Sequence, residues 1–235
     1  MGSIIGSSVK RVEDKRFITG KGNYTDDIQL PGMTYAYIVR SPFAHAKILS
    51  VDTEEARKQK GVVAIYTGKD IADSGVGGVP CGWQVNFRNG DIMKEPLHPL
   101  LVADKARHQG DGVVMVIAET KEIAKDVAEL VEIEYEELPA VTDAKQAMAE
   151  GQPLVHDECP NNLSFDWELG DKAATDAAFE NAHHVTTLEF TNQRVIPNAM
   201  EPRSAIGHFE PATEKYTLYI ENLAKVHKNG FKPFL

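Results

Sequence analysis

The chain of 235 residues is poor in several things that would narrow its function. It has two cysteines, Cys81 and Cys159, far apart in sequence, which is neither a metal knuckle nor a disulfide framework. It has no excess of positive charge: 25 Lys and Arg stand against 35 Asp and Glu, a net charge of −10. An acidic balance argues against nucleic acid and anionic membranes as partners, because both require a basic footprint. No run approaches the ~18 apolar residues of a membrane span, and the first residues lack the apolar stretch of a signal peptide. The patterns GxxxxGK[ST], GxSxG and HExxH are missing, so phosphate-loop, hydrolase-elbow and zincin chemistry have no signal here. With 42% hydrophobic and 26% charged residues, the composition is that of a folded, water-soluble, cytoplasmic protein with a core of its own.

Periodicity sketches an α+β chain. Residues 1–32 carry few apolar side chains and many breakers, and read as an extended arm with turns at Thr19–Gly22 and Leu30–Gly32. Strands are expected from Thr34 to Arg40, closed by Ser41-Pro42, from Ala46 to Val51, and from Val62 to Tyr66. Thr53 is placed to cap a short helix between the last two, with Gly61 beyond it. Residues 73–100 have no periodicity and read as an irregular loop. Gly112–Ala118 reads as a buried strand. Thr120 then caps a helix with Ile123, Ala124, Val127, Ala128 and Val131 on one face, followed by a strand to Tyr135. Strand, helix and strand of this length suit a parallel crossover unit. From Glu119 to Glu137 there are eight acidic residues against Lys121 and Lys125, either a docking face or, more simply, a solvated helix side and strand edge. Beyond a crossing segment with a small helix at 143–149 and a turn at Pro160-Asn161-Asn162, Asp171 is placed to cap a helix turning Ala174, Ala177, Ala178 and Phe179 inward. Strands are expected at Val185–Arg194, Ala205–Glu210 and Lys215–Ile220.

Candidate chemistry is sparse. Gly75-Val76-Gly77-Gly78 lacks a helix opening behind it and reads as a loop rather than a phosphate cradle. His183 and His184 are adjacent and point apart, and His45, His98, His108, His156, His208 and His227 are scattered singly, so no metal site is assigned. Glu201, in the Pro-bounded turn Asn198–Arg203, is either a tuned acid or a structural clamp with Arg203. No catalytic, cofactor-binding or metal residue is assigned.

Longer motifs carry more. Ile5-Gly6, Val9–Asp14, Phe17–Gly22, Tyr24–Ile28 and Leu30–Met33 form one opening pattern, continued by Arg40–Ile48. Pro160–Asn162, Gly170-Asp171, Ala177–Phe179, Ala182–Val185 and Arg194–Arg203 follow in the same order. Over about residues 4–220 the chain resembles the large, molybdenum-binding subunit of the xanthine dehydrogenase/aldehyde oxidase family, nearest its aerobic carbon monoxide dehydrogenase-type branch. The resemblance implies an N-terminal arm and α/β hammerhead domain over 1–150, followed by the beginning of a molybdenum-cofactor-binding domain over 151–235. It implies a molybdopterin-dependent oxidoreductase, a dehydrogenase or hydroxylase. Such an enzyme carries molybdenum on molybdopterin cytosine dinucleotide and uses a base glutamate. Its electrons leave through an iron–sulfur small subunit and an FAD-binding medium subunit.

Departures from the family pattern shape the expectation for this chain. Family large subunits run to several hundred residues more, and the cofactor loops and base glutamate are expected beyond residue 235. Leu223 falls where the family has a glutamine near the cofactor, and Glu221–Leu235 turns basic. The chain by itself is therefore expected to be an inactive fragment that holds no cofactor and self-associates through uncovered surfaces around 185–209. The alternative is a non-catalytic hammerhead-type module for subunit interaction.

Overall fold

The computed structural model describes residues 5–22, 24–193, 195–199 and 202–220. Two compact units emerge, one of residues 34–187 and one of 5–33 with 188–220.

In chain order the larger unit begins with strands β1 (Tyr35–Arg40) and β2 (Ala46–Asp52), and continues with helix α2 (Glu54–Arg57) and strand β3 (Val62–Thr67). A short helix α1 (Asp14–Ile18) precedes them in the smaller unit. Next come α3 (Gly68–Asp73), β4 (Lys105–Ala106), β5 (Gly112–Ala118), α4 (Lys121–Ala128), β6 (Glu132–Glu137), α5 (Ala144–Ala147) and α6 (Lys172–Glu180). The smaller unit ends with β7 (Ala205–Glu210) and β8 (Lys215–Ile220).

Two three-stranded antiparallel sheets organise the larger unit, in the orders β1-β5-β3 and β4-β2-β6. Valine-rich β5 lies at the centre of the first, which is why Val113, Val114 and Val116 are fully buried. The core joins Ile65, Val114 and Val116 of that sheet to Val127 and Ala128 of α4 and Ala56 of α2, with Ile48, Val51 and Ile133 of the second sheet packed against it. Thr120 caps α4 as its position suggests, its hydroxyl accepting from the Ile123 amide at 3.2 Å. Ile123, Val127 and Val131 all contribute to this core.

The parallel crossover is not formed. β5 is flanked by β1 and β3, so it has no free edge for β6, which pairs antiparallel with β2 in the other sheet. The acidic row of β6 is partly matched there: Lys47 faces Glu136 with an ion pair of 3.1 Å, and the Ser50 hydroxyl donates to Glu134 at 2.8 Å. Thr53 stands at the start of α2, but its hydroxyl accepts from Arg57 Nε (2.9 Å) rather than from a helix amide. The Glu54 amide donates instead to Asp52 Oδ1 at 2.8 Å. Gly61 holds φ +86°, the left-handed turn that returns the chain into β3.

Arg40–Ile48, one of the motifs behind the family resemblance, is a structural clasp. The Ser41 amide donates to Asp111 O (2.8 Å) and accepts, through its carbonyl, from the Gly110 amide (2.9 Å). Buried His45 donates from Nδ1 to the Pro139 carbonyl at 2.8 Å, and its own carbonyl accepts from Leu138 N.

Three further expectations are corrected. The arm is not wholly extended, since α1 and a 3₁₀ turn at Thr25–Asp27 interrupt it. Asp171 does cap α6, accepting from the Ala174 amide at 2.9 Å, yet no residue of that helix is buried and Phe179 is 60% exposed. The alternating stretch at 185–193 enters no strand ladder, because period-two patterning makes a strand only where a neighbouring backbone completes the pairing. β7 and β8 form the expected hairpin, turned through Glu210–Glu214.

Candidate functional site

Two aperiodic segments of the larger unit, 79–99 and 153–170, are stitched together by backbone hydrogen bonds. The first folds back on itself: Phe87 N donates to Asp91 O (2.7 Å) and Met93 N to Val85 O (3.1 Å). It then holds the second through Arg88 N to Asp166 O (2.9 Å) and Lys94 N to Ser164 O (2.8 Å), with the Ser164 hydroxyl returning a bond to Lys94 O (2.7 Å). Between them opens a cavity of about 660 Å³ lined by Trp83, Gln84, Val85, Asn86, Phe87, Arg88, Trp167, Glu168 and Gly170. Arg88 is the polar hub of this wall. Its Nε and Nη2 each reach Asp166 Oδ1 at 3.1 Å, and its Nη1 lies 3.3 Å from Glu168 Oε2. Behind it, Glu95 accepts from the Cys81 amide and the Gln84 side-chain amide, both at 2.6 Å, and these bonds hold its carboxyl below the usual range.

A second cavity, of about 330 Å³, is lined by Pro96, Leu97, His98, Val155, His156, Cys159, Asn162 and Ser164. Asn162, in the left-handed conformation (φ +54°), fixes its floor. Its amide oxygen accepts from Val155 N (2.8 Å), and its amide nitrogen donates to Ala147 O (2.9 Å) and Pro153 O (3.0 Å). Burial, helped by nearby Arg107, lowers the pKa of His156. Burial and then Glu158 raise that of the Cys159 thiol. The pair is thus an uncharged imidazole and a protonated thiol near neutral pH, and neither is activated as a nucleophile.

The residues singled out in the sequence do not converge on one centre. Of the Gly75–Gly78 stretch only its end is packed: Val79 N donates to His98 O (2.8 Å), and a Cβ on Gly78 would lie 2.5 Å from that carbonyl, while residues 75–77 are exposed. His45 is the clasp, His108 lies 3.2 Å from Asp111 Oδ1, and His183, His184 and His208 are exposed. Among the described residues no group of three or more His, Cys, Asp or Glu side chains is arranged to hold a metal ion. Glu201, Leu223 and His227 lie outside the described residues, and Arg203 is exposed. Sequence reasoning missed the role of Trp83, Arg88 and Trp167. The available signal was that both tryptophans of the chain fall in aperiodic segments.

The antiparallel two-sheet unit with the eight-residue helix α4 packed into its core defines the class. It is an α/β hammerhead domain, and the sequence profile of the aldehyde oxidase and xanthine dehydrogenase a/b hammerhead domain matches residues 19–139. A second profile, that of the molybdopterin cofactor-binding domain, matches residues 155–228. The chain therefore belongs to the xanthine dehydrogenase/aldehyde oxidase family of molybdopterin-dependent oxidoreductases. It is 35% identical over 227 residues to the carbon monoxide dehydrogenase large chain of Afipia carboxidovorans, which covers 92% of this chain and 27% of that protein. It is 34% identical over 220 residues to the nicotine 6-hydroxylase large subunit of Paenarthrobacter nicotinovorans, covering 93% and 26%. Among solved structures, a Cu,Mo-CO dehydrogenase superposes with a TM-score of 0.75 at 34% identity, covering 92% of this chain and 27% of that one. Quinoline 2-oxidoreductase from Pseudomonas putida 86 superposes with a TM-score of 0.73 at 32% identity, covering 92% and 26%. The chain spans about a quarter of the length of these relatives.

Members of the family bind a molybdopterin cofactor, and the described residues of this chain do not make a cradle for one. They offer no metal donor set, and the β7–β8 hairpin that falls within the cofactor-domain match is exposed on most of its residues. No helix among the described residues is long and apolar enough to cross a membrane.

Proposed function

We propose that this chain is the amino-terminal portion of a molybdenum hydroxylase large subunit of the carbon monoxide or aldehyde dehydrogenase kind, inactive by itself. Its hammerhead domain serves as scaffold, and the division falls at 150/151. The observation that carries the reading is the collinear match, which runs through both family segments yet spans only about a quarter of the relatives' length. The complete enzyme would hold molybdenum on molybdopterin cytosine dinucleotide, which supplies oxygen-atom and two-electron chemistry when bound. Its partners would be an FAD-binding medium subunit and an iron–sulfur small subunit in the cytoplasm. The exposed Leu188, Phe190, Val195 and Ile196 support self-association of the chain when alone.

Metal analysis of the chain purified from a host that makes the cofactor tests this reading, with sedimentation at several concentrations alongside. The expected result is no molybdenum and a mass that rises with concentration. Stoichiometric molybdenum in the isolated chain overturns the fragment reading, and a strict monomer overturns the self-association.

A further inference from the structure

We infer that the cavity walled by Trp83 and Trp167 is a binding site for a small organic cation of the quaternary-ammonium or N-alkylated heterocycle class. The inference does not rest on the family assignment. The chain has only two tryptophans, separated by most of the larger unit's sequence, and both line this one cavity. Both are held open to solvent, Trp83 at 74% and Trp167 at 45% exposure. Tryptophan is ordinarily among the more buried residues on average, so two exposed indoles on the wall of one otherwise largely polar cavity are apolar surfaces left for a ligand to cover. The indole is also the side chain whose ring attracts a cation most strongly.

The charges of the wall choose the sign of the ligand. Arg88 is the only cation lining the cavity, and its guanidinium is already engaged on both flanks, by Asp166 through Nε and Nη2 and by Glu168 through Nη1. Glu168 shares the lining with Arg88, and Asp166 pairs with Arg88 from outside it, so the cluster of two carboxylates and one guanidinium carries a net charge of −1. An anion would have to displace one of those carboxylates, whereas a cation can lie against the exposed indoles beside a cluster whose net charge is negative. The volume of about 660 Å³ sits within the range of small-molecule sites, ~300–1,000 Å³. The bonds from Arg88 N to Asp166 O and from Lys94 N to Ser164 O fix the two walls against each other, so little ordering is needed on binding.

Because both tryptophans line the cavity, intrinsic fluorescence of the full chain reports on it directly. The probe is choline, titrated at constant ionic strength against its neutral isostere 3,3-dimethyl-1-butanol. The expected result is a saturable change in tryptophan emission with choline, and a response at least about tenfold weaker with the alcohol. Glu168→Gln is expected to weaken choline binding about tenfold, and Trp167→Leu to abolish the saturable response, each with an unchanged far-UV spectrum. A linear response to choline, or equal affinities for choline and the alcohol, overturns the proposal. So does undiminished choline binding in both variants.

Discussion

Gly68 is the tightest test of how β3 hands over to α3. A capping box fixes the junction: the Thr67 hydroxyl accepts from the Asp70 amide (3.3 Å), and the Asp70 carboxylate accepts from the Thr67 amide (2.7 Å) and hydroxyl (2.8 Å). That geometry presses the Gly68 backbone against the segment 101–103. A Cβ there would lie 2.2 Å from Val102 O, 2.3 Å from Val102 C and 2.6 Å from Ala103 N, where ordinary contact is 3.4–4 Å. One side or the other must therefore move by about 1 Å. Neither yields easily. Val102 is buried and its amide donates to Gly112 O at 2.8 Å, so its displacement pulls on the central strand. Overpacking of this kind costs ~1–3 kcal/mol when a side chain can give way, and because backbone is struck here we expect Gly68→Ala to cost about 3 kcal/mol. Gly77→Ala is the control. Nothing lies within 4 Å of its Cβ, and the lost chain freedom predicts a change between neutral and about 1 kcal/mol stabilising. Urea unfolding followed by far-UV circular dichroism measures both, and a Gly68→Ala midpoint equal to wild type refutes the packing argument.

Val127 is 4% exposed and touches the buried valines of β5, so Val127→Asp places an unpaired carboxylate in the core and is expected to cost at least about 3 kcal/mol. An unchanged thermal transition for that variant overturns the assignment of α4's inner face. The third expectation is a pH dependence carried by His156. Its folded pKa is depressed below 6.5 by burial and by Arg107, so the unfolded chain binds its proton more readily. That contribution to stability is fully present above pH 6.5 and is lost as the pH falls through the folded value. Denaturant midpoints measured between pH 7.5 and 5 are expected to fall less in His156→Gln than in wild type, and parallel profiles would exclude the histidine as the source.

Element type was legible wherever burial had stamped a period on the chain. The unbroken apolar run of β5, the one-sided pattern of α4 and the capping positions of Thr120 and Asp171 all appear in the structure where the sequence places them. Connectivity was not legible, because periodicity says nothing of which sheet edges are free. β5 spends both of its edges on β1 and β3, and that fact alone sends β6 to the other sheet. α3 carries no apolar period and owes its helix to the Thr67–Asp70 box. The inward face expected for α6 failed for a related reason, since four apolar side chains on one side of a helix do not say whether anything covers them. The tryptophan cavity was beyond reach of local pattern. Its walls meet through hydrogen bonds and ion pairs between distant loops, Arg88 with Asp166 and Glu168 and Lys94 with Ser164. The family resemblance, by contrast, was legible at length, because its motifs fall largely in turns and clasps such as Arg40–Ile48, where particular residues are demanded.

The pairing order also governs how the larger unit must assemble. Its first three strands, β1, β2 and β3, are made one after another, yet none of them pairs with another of the three. β1 and β3 wait for β5, and β2 waits for β4 and β6, so at ~5–20 residues per second the growing chain carries three unpaired strands for several seconds. Every ladder then closes a long loop, and such non-local topologies fold on millisecond-to-second timescales rather than in microseconds. During that interval Tyr35–Arg40 and Val62–Thr67 present bare amides and carbonyls beside apolar side chains, the condition that invites pairing between neighbouring nascent chains. Emergence of the valine-rich segment Gly112–Ala118 ends the exposure of both strands at once, which makes a single strand the timekeeper of the domain's biogenesis.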